Sequence, residues 1–267
     1  MAVITLASGS GSPGVTTTAL ALAVAWPRPA LLVEADPSGS SAISAGWFRG
    51  SPPHDGGLLS LVMAHRQGRL AEAVPEVAVP VEGSGAQILA GTRSPAQAAS
   101  LAPVWEALAA ELRTMDARGM DVLVDAGRLG LTGTPEPLLT AADAVLLVSR
   151  TSLPAVAGVR GWASRLQRDF AARGTEHQIG LLTVGDKRPY TAAETARTLR
   201  IPAVASITWD PDAAEVYSDG RPSGRTFGRG GYARSVRAAV SAVQEFVAAN
   251  RSRLDAGNLL DVGETTR

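Results

Sequence analysis

Gly9 and Gly14 stand five positions apart in the stretch SGSGSPGVTTT, and Thr16 follows two positions later. That is the spacing of G-x-x-x-x-G-K-[ST], a loop whose glycines let backbone N–H groups close around phosphate oxygens while the hydroxyl reaches Mg2+. Val15 occupies the lysine position. Most phosphate contacts in such a loop come from the backbone and from the N-terminus of the following helix, and these survive the replacement. What is lost is one charge-assisted contact, worth about 1.5–3 kcal/mol, and the charge that compensates a phosphoryl group in transfer. Gly9, Ser10, Gly11, Ser12, Pro13, Gly14, Val15, Thr16 and Thr17 are therefore read as a loop that holds phosphate weakly and hydrolyses it slowly or not at all. A glycine-rich turn between strand and helix also serves close packing, and on the loop alone that reading stays open.

Three carboxylates extend the pattern. In LLVEADPSGS, Glu34 and Asp36 end an apolar run, and in MDVLVDAG, Asp125 ends another. Strand ends are where open α/β sheets gather their ligands. The expected roles are support of Mg2+ through water for Asp125, with Thr16 as a direct ligand, and a position facing the terminal phosphate for Glu34 and Asp36. In an active enzyme these three are the catalytic candidates. A single carboxylate after a strand also forms turns and caps helices, so the ordered series carries the inference. Arg128 stands three residues beyond Asp125 and is placed to supply the missing charge, although a solvated loop arginine is the plainer account of it. Lys187 is the only lysine, and it follows a later strand candidate. His54, His65 and His177 are isolated, without the spacing of metal ligands or of a catalytic triad.

For these residues to meet, strands and helices must alternate. Apolar runs at 2–8, 30–36, 86–91, 120–127, 144–150, 179–185 and 203–209 read as strands, the first leading through the loop into a helical TTTALALAVAW. Val159, Trp162, Leu166 and Phe170 share one face of a helix beginning near Leu153, and Val236, Val240, Val243 and Val247 share one near the C-terminus. Continuous apolar strands between amphipathic helices imply an α/β fold, a doubly wound, mostly parallel sheet with helices on both faces. The chain reads as one domain over 1–250 and a frayed or extended tail over 251–267. Segment 37–67 is the least regular, dense in Gly, Ser and Pro, and within it Trp47 and Phe48 are candidate partner anchors.

Composition excludes several classes. The 267 residues contain no cysteine, which removes disulfides, thiolate metal sites and cysteine nucleophiles. Formal net charge is zero, so no global field favours nucleic acid or an anionic membrane. There is no uninterrupted apolar run of membrane-spanning length. The apolar N-terminus lacks a basic leader and is interrupted by glycines, so it does not read as a secretion signal. The expected compartment is the cytoplasm, with any membrane contact indirect.

Taken in order, SGSPGVTT, LLVEADPSGS and VLVDAG resemble the three motifs of the MinD/ParA family of deviant P-loop ATPases. SRTSLPAVAGVRGWASRL and IPAVASITWDPDAAEVYSDGRP are similar to two later segments of that family, so the resemblance spans 2–249. It departs at Ser10, where the family carries a signature lysine that reaches across an ATP-sandwiched dimer, at Val15, and at Glu34, where the family has an aspartate. LLTVGDK also lacks the asparagine that often contacts adenine. A small or apolar residue in place of the loop lysine resembles the CpaE/TadZ group, which localises Tad-type pilus machinery and includes septum-site-determining relatives. The resemblance implies ATP or ADP with Mg2+, a homodimer, and protein partners in a pilus, secretion or division apparatus at a pole or septum. Two alternatives stay open: an active ParA-like ATPase cycling on non-specific DNA, and an interaction module that binds no nucleotide. For the DNA alternative the candidate patch is Arg221, Arg225, Arg229, Arg234 and Arg237, interleaved with Phe227 and Tyr232. At zero net charge a solvated arginine-rich loop is preferred, and DNA ranks below protein partners.

Overall fold

Short runs of Val, Leu, Ile and Ala, ended by glycine or a carboxylate, form most of the sheet in the computed structural model, which describes residues 2–39, 41–50 and 57–264. The strands are β1 (Val3–Ser8), β2 (Ala30–Glu34), β3 (Val79–Pro80), β4 (Ala86–Leu89), β5 (Asp121–Arg128), β6 (Ala144–Ser149), β7 (Ile179–Val184) and β8 (Ala203–Ile207). Their order is β3-β4-β2-β5-β1-β6-β7-β8, parallel throughout except that β3 pairs antiparallel with β4 at one edge. All but β3 coincide with the apolar runs. A two-residue edge strand containing proline leaves no periodicity to read.

The helices that follow these strands are α1 (Val15–Val24), α2 (Ala42–Ala45), α3 (Gly57–Arg66), α4 (Leu70–Val77), α5 (Pro95–Ser100) and α6 (Trp105–Leu112) in the first half. The second half adds α7 (Glu136–Thr140), α8 (Leu153–Ala171), α9 (Ala192–Leu199), α10 (Pro211–Ser218) and α11 (Gly231–Glu264). Two apolar cores result, one on each face of the sheet. The first joins the strands to α3, α4 and α6–α9, and the second joins them to α1, α2, α10 and α11. Alternation along the strands decides the faces: Val3 and Ala7, or Val122 and Val124, enter the first core, while Ile4 and Leu6, or Leu123, enter the second. The same parity carries Asp121 and Asp125 to the α1 side with Leu123.

Four expectations need correction. Residues 57–66, within the segment read as irregular, are helical; an apolar face of Leu58 and Leu61 docks on the first core. Helix α11 continues through 251–264, the stretch expected to be a frayed or extended tail. Trp47 and Phe48, read as partner anchors, are half-buried against this chain's own core, Trp47 stacking on Tyr217 with ring centroids 6.0 Å apart. Trp162 lies half-buried beside its stripe, whose buried members are Val156, Val159, Ala163, Leu166 and Phe170. His54 lies outside the described residues. Among the described residues no helix is long and apolar enough to cross a membrane.

Opposite the functional end, Asp121 ties three elements. Its buried carboxylate accepts from Ala2 N (2.7 Å) and from Trp26 Nε1 (2.8 Å), and Arg28 approaches at 3.9 Å. Removing the acceptor strands two buried donors, so Asp121→Ala is expected to cost about 2–4 kcal/mol in urea unfolding, and Asp121→Asn, which keeps an acceptor, less. Equal stability of Asp121→Ala and parent would contradict this account.

Candidate nucleotide site

The loop between β1 and α1 owes its shape to backbone geometry. Gly11 and Gly14 have φ of 65° and 97°, the left-handed region that a side chain disfavours, and a Cβ at either would meet open space. Gly14 caps α1 without a side-chain hydrogen bond, so the N–H groups of the first turn are left to other acceptors. In front of them lies a cavity of about 430 Å³, lined by Ser8, residues 11–17, Asp36, Ser38, Gly127, Arg128 and Leu131. A second cavity, about 160 Å³, shares Ser12, Pro13, Gly14 and Thr17 with the first and runs on to Arg150, Val184, Ile207, Trp209, Asp210 and Tyr232. One side of the loop is thus polar and wide, and the other is floored by apolar and aromatic groups.

Val15, at the lysine position, is 6% exposed and packs in the α1-side core. Ser10 sits against α8. A Cβ on Gly158 would overlap the Ser10 hydroxyl, and a Cβ on Gly9 would come within 2.8 Å of Val159 Cα. Both positions where the resembling family carries lysine therefore hold small side chains used for internal packing.

Asp125 is fully buried, in register with Leu6 of β1 on one side and Glu34 of β2 on the other. Its Oδ1 accepts from Gly127 N at 2.9 Å, while Oδ2 has no partner. Burial pushes its pKa up to about 7; the negative charges of Asp36 and Glu34 add to that, and the neighbouring Thr16 hydroxyl and the Gly127 N–H oppose it. A buried, unpartnered carboxylate oxygen behind Thr16, whose residue lines the larger cavity, suits a hydrated cation. Thr16 and Asp125 thus fit the Mg2+ expectation in their donor chemistry. Asp36, half-buried, accepts from Ser38 N at 2.8 Å and lines the larger cavity.

Glu34 does not face that cavity. Its carboxylate accepts from Ser41 Oγ (2.6 Å), Ile43 N (3.0 Å) and Gly91 N (2.8 Å), which makes it a buried tie between the end of β2, the start of α2 and the turn after β4. Burial raises its pKa and the three donors oppose the rise. The role expected for it beside the terminal phosphate is replaced by an architectural one. Sequence reading missed Gly127, with φ 59°; a Cβ there would overlap the Asp36 carboxylate, so this glycine makes room for the acid. Its signal was the glycine following Asp125 by two.

Among the cations, Arg128 is exposed and lines the larger cavity, as its position suggested. Arg150 was not foreseen: its Nη2 donates to Ser12 O at 3.2 Å and its guanidinium lies 4.6 Å over Trp209. Lys187 lines neither cavity. In the C-terminal arginine group, Arg221 pairs with Glu215 at 2.7 Å while Arg225, Arg229, Arg234 and Arg237 are exposed. The aromatic residues between them turn inward, Phe227 and Tyr232 clustering around Tyr217 at 6.0 and 6.2 Å, so they are not free to stack on bases. Among the described residues no group of three His, Asp or Glu side chains could hold a metal without a ligand's help.

No family model and no curated protein matches the chain. Solved structures do. The septum site-determining protein MinD of Pyrococcus horikoshii in complex with Mg-ADP aligns over 92% of this chain and 97% of its own, at 16% identity and a TM-score of 0.63. A ParA family ATPase from Chlorobium tepidum aligns over 90% and 98%, at 14% identity and 0.69. The MinC:MinD cell division complex of Aquifex aeolicus gives 92% and 96%, at 13% identity and 0.66. At such identities the likeness is one of fold: the chain has the doubly wound P-loop architecture of the MinD and ParA ATPases.

An acid whose folded pKa lies above its unfolded value makes the native state the better proton binder between the two. Stability from Asp125 is therefore full below the ordinary carboxylate range and falls as pH rises through about 7. In metal-free and nucleotide-free protein, Asp125→Asn should lose about 1–2 kcal/mol less than the parent between about pH 5 and about pH 8 in chemical denaturation. Parallel pH profiles for the two proteins would remove Asp125 as the source.

Proposed function

We propose that this chain binds ADP or ATP with Mg2+ across the two cavities, hydrolyses it slowly or not at all, and serves as a localisation or scaffolding protein for a polar or septal apparatus. The kind envisaged is the CpaE/TadZ group, acting in a Tad pilus, secretion or division system. The observation that carries the reading is the wall shared by the cavities: Ser12, Pro13, Gly14 and Thr17 face the polar space on one side and the Trp209 pocket on the other, as a nucleoside diphosphate laid across them requires. Val15 carries the second half, since its largely buried, uncharged side chain brings no positive charge to a transferring phosphoryl group.

In this assignment the N–H groups of residues 11–17 wrap the phosphates, Thr16 ligates the ion, and the free Oδ2 of Asp125 holds one of its waters. When bound, Mg2+ would supply the positive charge that lets Asp125 ionise beside Asp36. The Trp209 pocket would take the base. Support from likeness is that the P. horikoshii protein carries Mg-ADP and the A. aeolicus one is assembled with MinC. The inferred setting is cytoplasmic, as a homodimer recruited to its position by a protein partner.

Calorimetric titration tests this directly. Saturable binding of Mg·ADP and Mg·ATP is expected, abolished in Gly14→Asp, which strains a backbone at φ 97° and puts a carboxylate into the phosphate cavity. ATP turnover should equal that of the Gly14→Asp control, with or without duplex DNA. Silence at about millimolar nucleotide, a Kd weaker than typical ligand sites, would leave an interaction module without nucleotide. DNA-stimulated turnover would make the chain an active ATPase.

A further inference from the structure

We infer that the charge missing from the loop is supplied by two arginines on the strands flanking β1, Arg128 at the end of β5 and Arg150 just past β6, and that they divide the phosphates between them. The inference rests on the nucleotide binding proposed above. β5 and β6 are the two neighbours of β1 in the sheet, so residues at their C-terminal ends straddle the loop that leaves β1. Arg128 stands in register with Ser8 and borders the larger cavity together with Asp36, Ser38 and Leu131. Arg150 borders the smaller one, beside Trp209.

Arg150 is held in place. One Nη donates to Ser12 O at 3.2 Å, and the guanidinium rests 4.6 Å over the Trp209 ring, which Arg188 also approaches at 5.2 Å. A guanidinium has five N–H donors in a fixed fork, so one carbonyl contact and one stacked face leave donors available at the wall between the cavities. Arg128 and Arg150 are both exposed, and among the described residues neither forms an ion pair. Two uncompensated guanidinium groups beside a backbone built to wrap phosphate provide the charge that Val15 cannot. Their placement also separates their roles. Arg150 lies where the ring pocket meets the loop, next to the phosphates common to ADP and ATP. Arg128 lies at the opposite end, next to the terminal phosphate that ATP alone carries.

The test is a matched set of ADP and ATP titrations, with Mg2+, on the parent, Arg150→Gln and Arg128→Gln. Loss of a charge-assisted contact is worth about tenfold or more in affinity. Arg150→Gln should weaken both nucleotides about tenfold, and Arg128→Gln should weaken ATP about tenfold while changing ADP less than about twofold. Because Arg150 also braces Ser12 against Trp209, salt dependence separates charge from bracing. Raising NaCl from about 0.05 to about 0.5 M should narrow the gap between parent and variant if the guanidinium acts by charge, whereas a bracing role leaves the gap unchanged. Variants that bind like the parent, or a gap that salt does not move, overturn the arginine assignment while leaving nucleotide binding intact. A parent that binds neither nucleotide overturns both.

Discussion

The first turn of the phosphate loop and helix α8 approach so closely that glycines stand at the contacts and only the small Ser10 side chain lies between them. Gly9 lies against Val159 and Gly158, Gly158 lies against Ser10, and Gly130, at φ 85°, lies against the Trp162 ring; a Cβ at any of these would meet the neighbour at or inside contact distance. Gly11 and Gly14 then turn the chain through conformations that ordinary residues avoid, and α1 begins with its first N–H groups uncapped by any side chain. None of these close approaches and left-handed turns involves the side chain at position 15. The lysine of the ordinary motif contributes charge and not architecture, and a buried valine there adds apolar contact to the α1-side core in its place.

The acids behind the loop impose the opposite demand. Asp125 is enclosed by β1 and β2, with Glu34 in register beside it and Asp36 nearby, and its ionised form pays for desolvation and for two like charges at once. Glu34 accepts three hydrogen bonds that oppose the rise in its own pKa, and its charge still counts against the ionised form of Asp125. What remains is an acid poised near neutrality beside Thr16, with one oxygen unpartnered. Positive charge beside it favours the ionised carboxylate, and among the described residues the cationic side chains bordering the two cavities are Arg128 and Arg150.

How much of this was legible follows from the range of each interaction. The strands were written in runs of consecutive apolar residues, and the loop in glycine spacing, both of which act over a few positions. The place of Asp125 at the end of β5 was legible because the carboxylate closes a run of apolar residues. Glu34 looked the same and serves otherwise, since its role depends on Gly91, 57 residues away. Arg150 depends on Ser12, 138 residues away, and on a tryptophan beyond another strand, so no local pattern marks it. Phe227 and Tyr232 were read only as interleaved with the arginines, because no local pattern says that Tyr217 on the neighbouring helix draws them inward.

Ser10 and Gly158 are best understood as one feature. In the resembling family, position 10 carries a lysine that leaves its own loop to reach a second subunit; here the side chain at position 10 fills the space that Gly158 leaves open on α8 of the same chain. A long side chain there would have to point away from α8, and the glycine would then leave a void. The same helix face meets Gly9 through Val159 and meets both Gly9 and Gly130 through Trp162. Trp162 thus stands between the loop, the turn after β5 and a surface hollow that it lines with Leu129, Leu139 and Leu166 between α7 and α8.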